Sequence, residues 1–119
     1  MIRLKRVYEK PAPGDGMRIL VERLWPRGLK KEDARVDRWM KEIAPRTELR
    51  QWFGHDPERW PEFQRRYRAE LKAHQEQLQE LRALARRATV TLVYAARDEE
   101  HNSAVVLKRV LAANTRRMS

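Results

Sequence analysis

Apolar residues recur along this chain with two different periods, and the changes of period divide it into elements. Ile2-Arg3-Leu4-Lys5-Arg6-Val7-Tyr8 alternates apolar and polar positions, the period of a half-buried strand. Pro11-Ala12-Pro13-Gly14-Asp15-Gly16 follows, and its proline and glycine content marks a turn. Met17 to Leu24 reads as a second strand around the apolar run Ile19-Leu20-Val21. The connection is too short for a helical crossover, so these two strands, if adjacent, are expected to be antiparallel. Thr89-Val90-Thr91-Leu92-Val93-Tyr94-Ala95 is the strongest strand signal, β-branched and apolar throughout.

Between the second and third strands the spacing becomes helical. From about Lys31, Val36, Trp39, Met40 and Ile43 recur every three to four residues and predict a helix that Ala44-Pro45 ends. A short helix is expected over 46–53, with Leu49, Trp52 and Phe53 apolar and Gly54 placed for a left-handed cap. Asp56-Pro57 is a helix start, an N-cap followed by proline in the first turn. Trp60, Phe63, Tyr67 and Leu71 then share one face, and Leu78, Leu81 and Leu84 extend it. That stripe is read as core. Unbroken, such a helix would span ~45 Å at 1.5 Å per residue, so a bend is expected near His74-Gln75. A last helix covers about 102–113 and buries Val105, Val106, Val110 and Leu111, with 114–119 a frayed tail.

The long helical crossover from Gly28 to Ala88 makes the strands near 17–24 and 89–95 parallel. The fold class is therefore α/β. The expectation is one small, three-layer-like domain, residues 1–119, whose short and partly parallel sheet (strands near 2–8, 17–24 and 89–95) is packed by helices.

Composition narrows the chemistry. The chain has 27 Lys plus Arg against 17 Asp plus Glu, a formal charge of +10. That excess favours anionic partners: an anionic small molecule such as a nucleotide or phosphorylated metabolite, or nucleic acid. The absence of cysteine excludes thiol nucleophiles, cysteine zinc sites and iron–sulfur ligation within the chain. His55, His74 and His101 form no helical His-x-x-x-His pair, so no metal site is expected, and no cofactor motif stands out. No apolar stretch reaches the length of a membrane span, and the basic N-terminus lacks the apolar run of a secretory signal. The expected setting is cytoplasmic, without membrane association. Oligomeric state is not encoded in any pattern here.

Two polar segments follow the two parallel strands. Arg23-Leu24-Trp25-Pro26-Arg27-Gly28 follows the first, and Tyr94-Ala95-Ala96-Arg97-Asp98-Glu99-Glu100-His101-Asn102 follows the other. Parallel strands bring both to the carboxyl edge of the sheet, where open α/β sheets bind ligands. Arg23 and Arg27 offer planar forks for phosphate or carboxylate. Trp25, Tyr94, Asn102 and His55 are further candidate ligand contacts. Asp98 and Asn102 also suit capping of the last helix. His101 beside Asp98 is a pair able to move a proton, the candidate catalytic residues. Dispersed phosphate contacts by arginine-rich helices are the alternative.

These segments, together with Trp52-Phe53-Gly54-His55-Asp56-Pro57, Arg59-Trp60 and Arg66-Tyr67-Arg68, resemble the YeaO-like proteins, a bacterial domain-of-unknown-function family. The match runs in order over nearly the whole chain. It implies an intracellular α/β protein and brings no defined activity with it. More distant relatives carry a Cys-x-Glu…Cys-His-Arg pattern after the equivalent of the 89–95 strand. Tyr94, Ala96, His101 and Asn102 occupy that region here, so thiol chemistry does not transfer.

Overall fold

The computed structural model describes residues 1–118, and from 114 onward its backbone alone. Four strands form one sheet: β1 (Ile2–Arg6), β2 (Met17–Leu20), β3 (Arg38–Trp39) and β4 (Val90–Tyr94). The spatial order is β1-β4-β2-β3, and every pairing is parallel. The expected parallel pairing of the second and last long strands holds, with Met17 opposite Val90 and Leu20 opposite Val93. β1 and β2, expected to be antiparallel if adjacent, are not neighbours. β4 lies between them, which frees the short 7–16 connection from having to make a hairpin. The central place of β4 follows from its sequence. It is buried at every position, as a continuous apolar run requires when both faces of a parallel strand are covered.

The edge strand β3 corrects the reading of 31–43 as one helix. A single helical turn, α1 (Lys31–Ala34), stops at Arg35, which adopts a left-handed conformation with φ 46°. The chain then extends. Asp37 N–H donates to Arg18 O and Met40 N–H to Leu20 O, at 2.9 Å each. The exposed edge of β2 needed backbone partners, and this outweighed a helical spacing of side chains.

Helices α2 (Thr47–Phe53), α3 (Trp60–Leu71), α4 (Gln75–Arg87) and α5 (Ser103–Met118) complete the domain. Gly54 caps α2 in the left-handed region and Asp56 caps the turn that leads into α3, as the sequence predicts. The bend falls at residues 72–74 between α3 and α4. Of the tail expected over 114–119, the backbone through Met118 belongs to α5; Ser119 and the side chains from 114 lie outside the described residues. Val106 and Leu111 of α5 are buried, whereas Val105 and Val110 are half-buried.

The alternation in the central strands sorts the core into two faces. Ile19, Leu92 and Tyr94 join Phe63, Tyr67, Leu78, Leu107 and their neighbours in the main cluster under the helices. Leu20 and Val93 face the other way, into a smaller cluster with Val7 and Ala34 that Trp25, Leu29, Val36 and Trp39 cover. The second face thus has a thin lid of α1 and loops. At the start of β2, Gly16 (φ 62°) lies against the backbone of Thr89, where a Cβ would collide with the carbonyl.

Candidate functional site

Beyond Leu20 the β2 chain makes one more ladder bond, Val21 N–H to Val93 O, and then leaves the sheet at Glu22 and Arg23. The chain after β4 leaves at the same edge. Between them lies a cavity of ≈ 520 Å³. Its polar wall comprises Glu22, Arg23, Arg50, His55, Arg97, Asp98, Asn102 and Ser103, and its apolar floor includes Phe53 and Phe63.

Each group is held by local structure. Arg23 donates from Nε to Pro45 O (3.1 Å) and from Nη2 to Ala44 O (2.8 Å). These bonds fix the guanidinium and leave Nη1 uncommitted among the described hydrogen bonds. Glu22 is half-buried, and its Oε2 accepts from Ala95 N–H at 2.8 Å. Burial pushes its carboxyl above the usual range; the Ala95 N–H and the charges of Arg50 and His55 pull back only in part. His55 enters the wall because Gly54 and His55 both adopt positive φ (53° and 59°), turning the chain out of α2.

The 98–102 loop is built on Asp98. Its Oδ1 accepts from the backbone N–H groups of Glu100 and His101, and its Oδ2 meets His101 Nδ1, all at 2.9 Å. The His101 N–H, then the His101 ring, then the Glu100 N–H hold the Asp98 carboxyl below its usual value. Asn102 is buried and caps α5. Its Oδ1 accepts from Val105 N–H (3.0 Å), and its Nδ2 donates to Asp98 O (2.9 Å). The expected capping roles and the expected Asp98–His101 pair are thus both present in one loop.

The structure brings together Arg23, His55, Asp98 and Asn102 of the residues singled out in the sequence. Of the others, Trp25 and Arg27 lie elsewhere, while His101 and Tyr94 stand behind the wall, against Asp98 and Asn102. His101 is not part of the cavity wall, and its ring meets Trp60 edge-on at 5.2 Å. Tyr94 is buried within β4, and burial raises its hydroxyl pKa, with the charges of Glu99 and Glu9 adding to it. Trp25 belongs to the opposite face. It packs against Trp39 with centroids 5.5 Å apart and donates Nε1–H to Leu29 O at 2.7 Å. Arg27 is exposed, and its carbonyl accepts from the Tyr8 hydroxyl at 3.0 Å. The cause is the early end of β2. The chain leaves the sheet after Val21, and Trp25, two residues beyond Arg23, packs into the lid of the opposite face and carries Arg27 away from the cavity.

Sequence reading missed Glu22, Arg50 and Arg97. Glu22 carried a signal, since it is the first polar residue after Ile19-Leu20-Val21. Arg50 carried none, because only the packing of α2 brings it to the cavity. Among the described residues no three His, Asp or Glu side chains lie close enough together to hold a metal ion. No helix there is long and apolar enough to cross a membrane.

Residues 1–119 match the family model described as an inactive DUF488-N3 subclade. The chain belongs to this family. An uncharacterized protein of Mycobacterium tuberculosis is 47% identical over 110 residues, covering 92% of each chain. The uncharacterized protein YeaO of Escherichia coli is 44% identical over 106 residues, 89% of this chain and 92% of that one. The YeaO-like resemblance of the sequence motifs is therefore real homology. No solved structure matches.

Proposed function

We propose that this chain is a binding domain for a small anion, a nucleotide or phosphorylated metabolite, held in the cavity at the carboxyl ends of β2 and β4. The observation that carries this is the balance of uncommitted charge in the cavity wall. Arg23, Arg50, Arg97 and His55 face only two acids there, Glu22 and Asp98. Asp98 is occupied by the loop it organises, and Glu22 is engaged by the Ala95 N–H. Neither Arg50 nor Arg97 is paired with a carboxylate among the described ion pairs. An anion entering the cavity meets the half-buried fork of Arg23 and the exposed forks of Arg50 and Arg97, and charge-assisted hydrogen bonds to such forks are the strong ones.

Binding is preferred to turnover for two reasons. The family description calls the subclade inactive. The Asp98–His101 pair, the proton-transfer candidate, is directed into its own loop and against Trp60 rather than forming the cavity wall. The test is a thermal-shift series with inorganic phosphate, nucleoside mono- and triphosphates and phosphorylated sugars. A ligand at one hundred times its Kd stabilises the native state by ~2.7 kcal/mol, a shift easily read. A hit that Arg50→Ala weakens supports the site. No hit in the panel, or hits indifferent to both Arg50→Ala and Arg97→Ala, would remove it. Product formation from any hit that His101→Ala abolishes would replace binding by catalysis.

A further inference from the structure

Helix α3 segregates its charges around its axis. At about 100° per residue, Phe63, Tyr67 and Leu71 point into the core, where all three are buried. On one flank lie Glu62, Arg66 and Glu70. Glu62 holds Arg65 and Arg66, and Glu70 accepts from Arg46 N–H. On the other flank lie Gln64, Arg68 and Lys72, facing α5. There Arg109 donates to Gln64 Oε1 at 3.2 Å. Arg68, Lys72 and Arg109 are all exposed, and none pairs with a carboxylate among the described ion pairs.

Two neighbouring concavities, ≈ 500 and ≈ 410 Å³, share Arg68 and Lys72 and contain no Asp or Glu among their lining residues. The other three concavities described each contain at least one acid. We infer that the groove these two concavities form, along α3 and across to α4 and α5, binds the phosphodiester backbone of nucleic acid, independently of sequence. Arg68 and Lys72 are four residues apart, about 6 Å along the axis, and Arg109 continues the row from the next helix. A row of cations without acids matches a regularly charged polyanion. The groove has no aromatic residue on which a base would stack, so backbone contact alone is expected, without base readout. Among the described residues the large exposed apolar side chains, Met1, Tyr8, Met17 and Leu24, all lie in other elements. A lipid surface would need such groups at the groove.

The experiment is fluorescence anisotropy of short labelled DNA duplexes and single-stranded RNA over a salt series. It compares the full chain, the Arg68→Gln/Lys72→Gln/Arg109→Gln variant, and a control of equal charge change, Lys10→Ala/Lys30→Ala/Lys31→Ala. All six positions are exposed, and circular dichroism verifies folding. The groove variant is expected to bind duplex on the order of 100-fold more weakly at moderate salt, and its log–log salt slope to be shallower by about 2.7. The control should keep most of its affinity. Equal losses in both variants would overturn the groove in favour of diffuse charge. Failure of the wild-type chain to bind any oligonucleotide at about 50 mM salt would overturn the inference outright. So would competition by polyglutamate as effective, charge for charge, as that by the oligonucleotide, which would assign the groove to an acidic protein segment. Small-anion binding in the cavity at the sheet edge is read separately and should be the same in all three proteins.

Discussion

Strand β2 carries an acid and an arginine at each end: Asp15 and Arg18 where it begins, Glu22 and Arg23 where it leaves the sheet. At the beginning the chemistry is closed. Asp15 and Arg18 are 4% and 3% exposed and form an ion pair at 2.7 Å. Lys5 reaches the same carboxylate at 3.1 Å, Ala12 N–H donates to it, and Arg18 Nε–H donates to Ala34 O. One nitrogen, Arg18 Nη2, is left without a partner. At the other end the acid and the arginine do not pair with each other. Each is held by backbone, Glu22 by Ala95 N–H and Arg23 by two carbonyls. The charged tips are left beside a cavity with Arg50 and Arg97 for company. The same two residue types thus fasten the fold at one end and remain available at the other. Partner saturation, not residue identity, separates a structural charge from a binding charge.

The sharpest way to break this contrast is at the closed end. Asp15→Ala leaves the buried Arg18 guanidinium without its counter-charge, which costs about 3–5 kcal/mol. Urea denaturation should show that loss. A variant within ~0.5 kcal/mol of the wild type would mean that Asp15 and Arg18 are solvated like surface charges.

At the open end the expected losses are in affinity. Arg50→Ala and Arg97→Ala each remove an exposed side chain with no carboxylate partner, so stability should change by less than ~0.5 kcal/mol. Binding of an anion found by the thermal-shift series should weaken by roughly 1.5–3 kcal/mol, or about 10- to 150-fold. Arg27→Ala, exposed and outside the cavity, should leave affinity unchanged. Calorimetry on the three variants decides whether the cavity or the wider arginine-rich surface binds.

Asn102 joins the two themes, since it fastens the loop that frames the open end. Asn102→Ala removes the cap of α5 and the bond to Asp98 O. The expected cost is ~0.5–2 kcal/mol by urea denaturation, with faster amide exchange at Val105. Normal protection at that amide would show that the loop does not depend on the cap.

Much of this was legible in the sequence, and the failures have a common cause. The continuous run at 90–94, the glycine cap at 54 and the Asp56-Pro57 start are local signals, and each stands where local physics puts it, while the bend near His74 followed from the length an unbroken helix would have. The parallel pairing of β2 and β4 followed from the length of the crossover. The reading of 36–43 as helix failed because Trp39 and Met40 are placed by the edge of β2, a partner distant in sequence. Arg27 and Trp25 were assigned to the site because β2 was read four residues too long. Arg50 and the charge segregation of α3 depend on which flank of a helix meets which neighbour.

The smallest effect, and the one that sets the two ends of β2 most directly against each other, is in pH. For Asp15, burial alone would raise the carboxyl. The Ala12 N–H, the hydrogen bonds from Lys5 and Arg18 and the charge of Lys5 together outweigh it, and the net position lies below 3.8. The folded state therefore releases this proton more readily than the unfolded chain. Its stabilisation is present above pH 3.8 and is lost as pH falls through the lowered folded value. For Glu22 the sign reverses. Burial raises its carboxyl above 4.5, so the folded state holds the proton to higher pH than the unfolded chain does. The contribution is fully present below 4.5 and is lost as pH rises through the raised folded value. Glu22→Gln keeps an oxygen for Ala95 N–H and removes the titration. Its unfolding free energy should match the wild type in acid and exceed it increasingly as pH rises through the Glu22 transition, then run parallel. It should also bind the anion more tightly near neutrality, since a nearby negative charge is gone. Urea denaturation of both proteins from about pH 3 to pH 8 measures the first effect, and calorimetry at the upper end measures the second. A variant that tracks the wild type at every pH would show Glu22 to be as well solvated as a surface carboxylate.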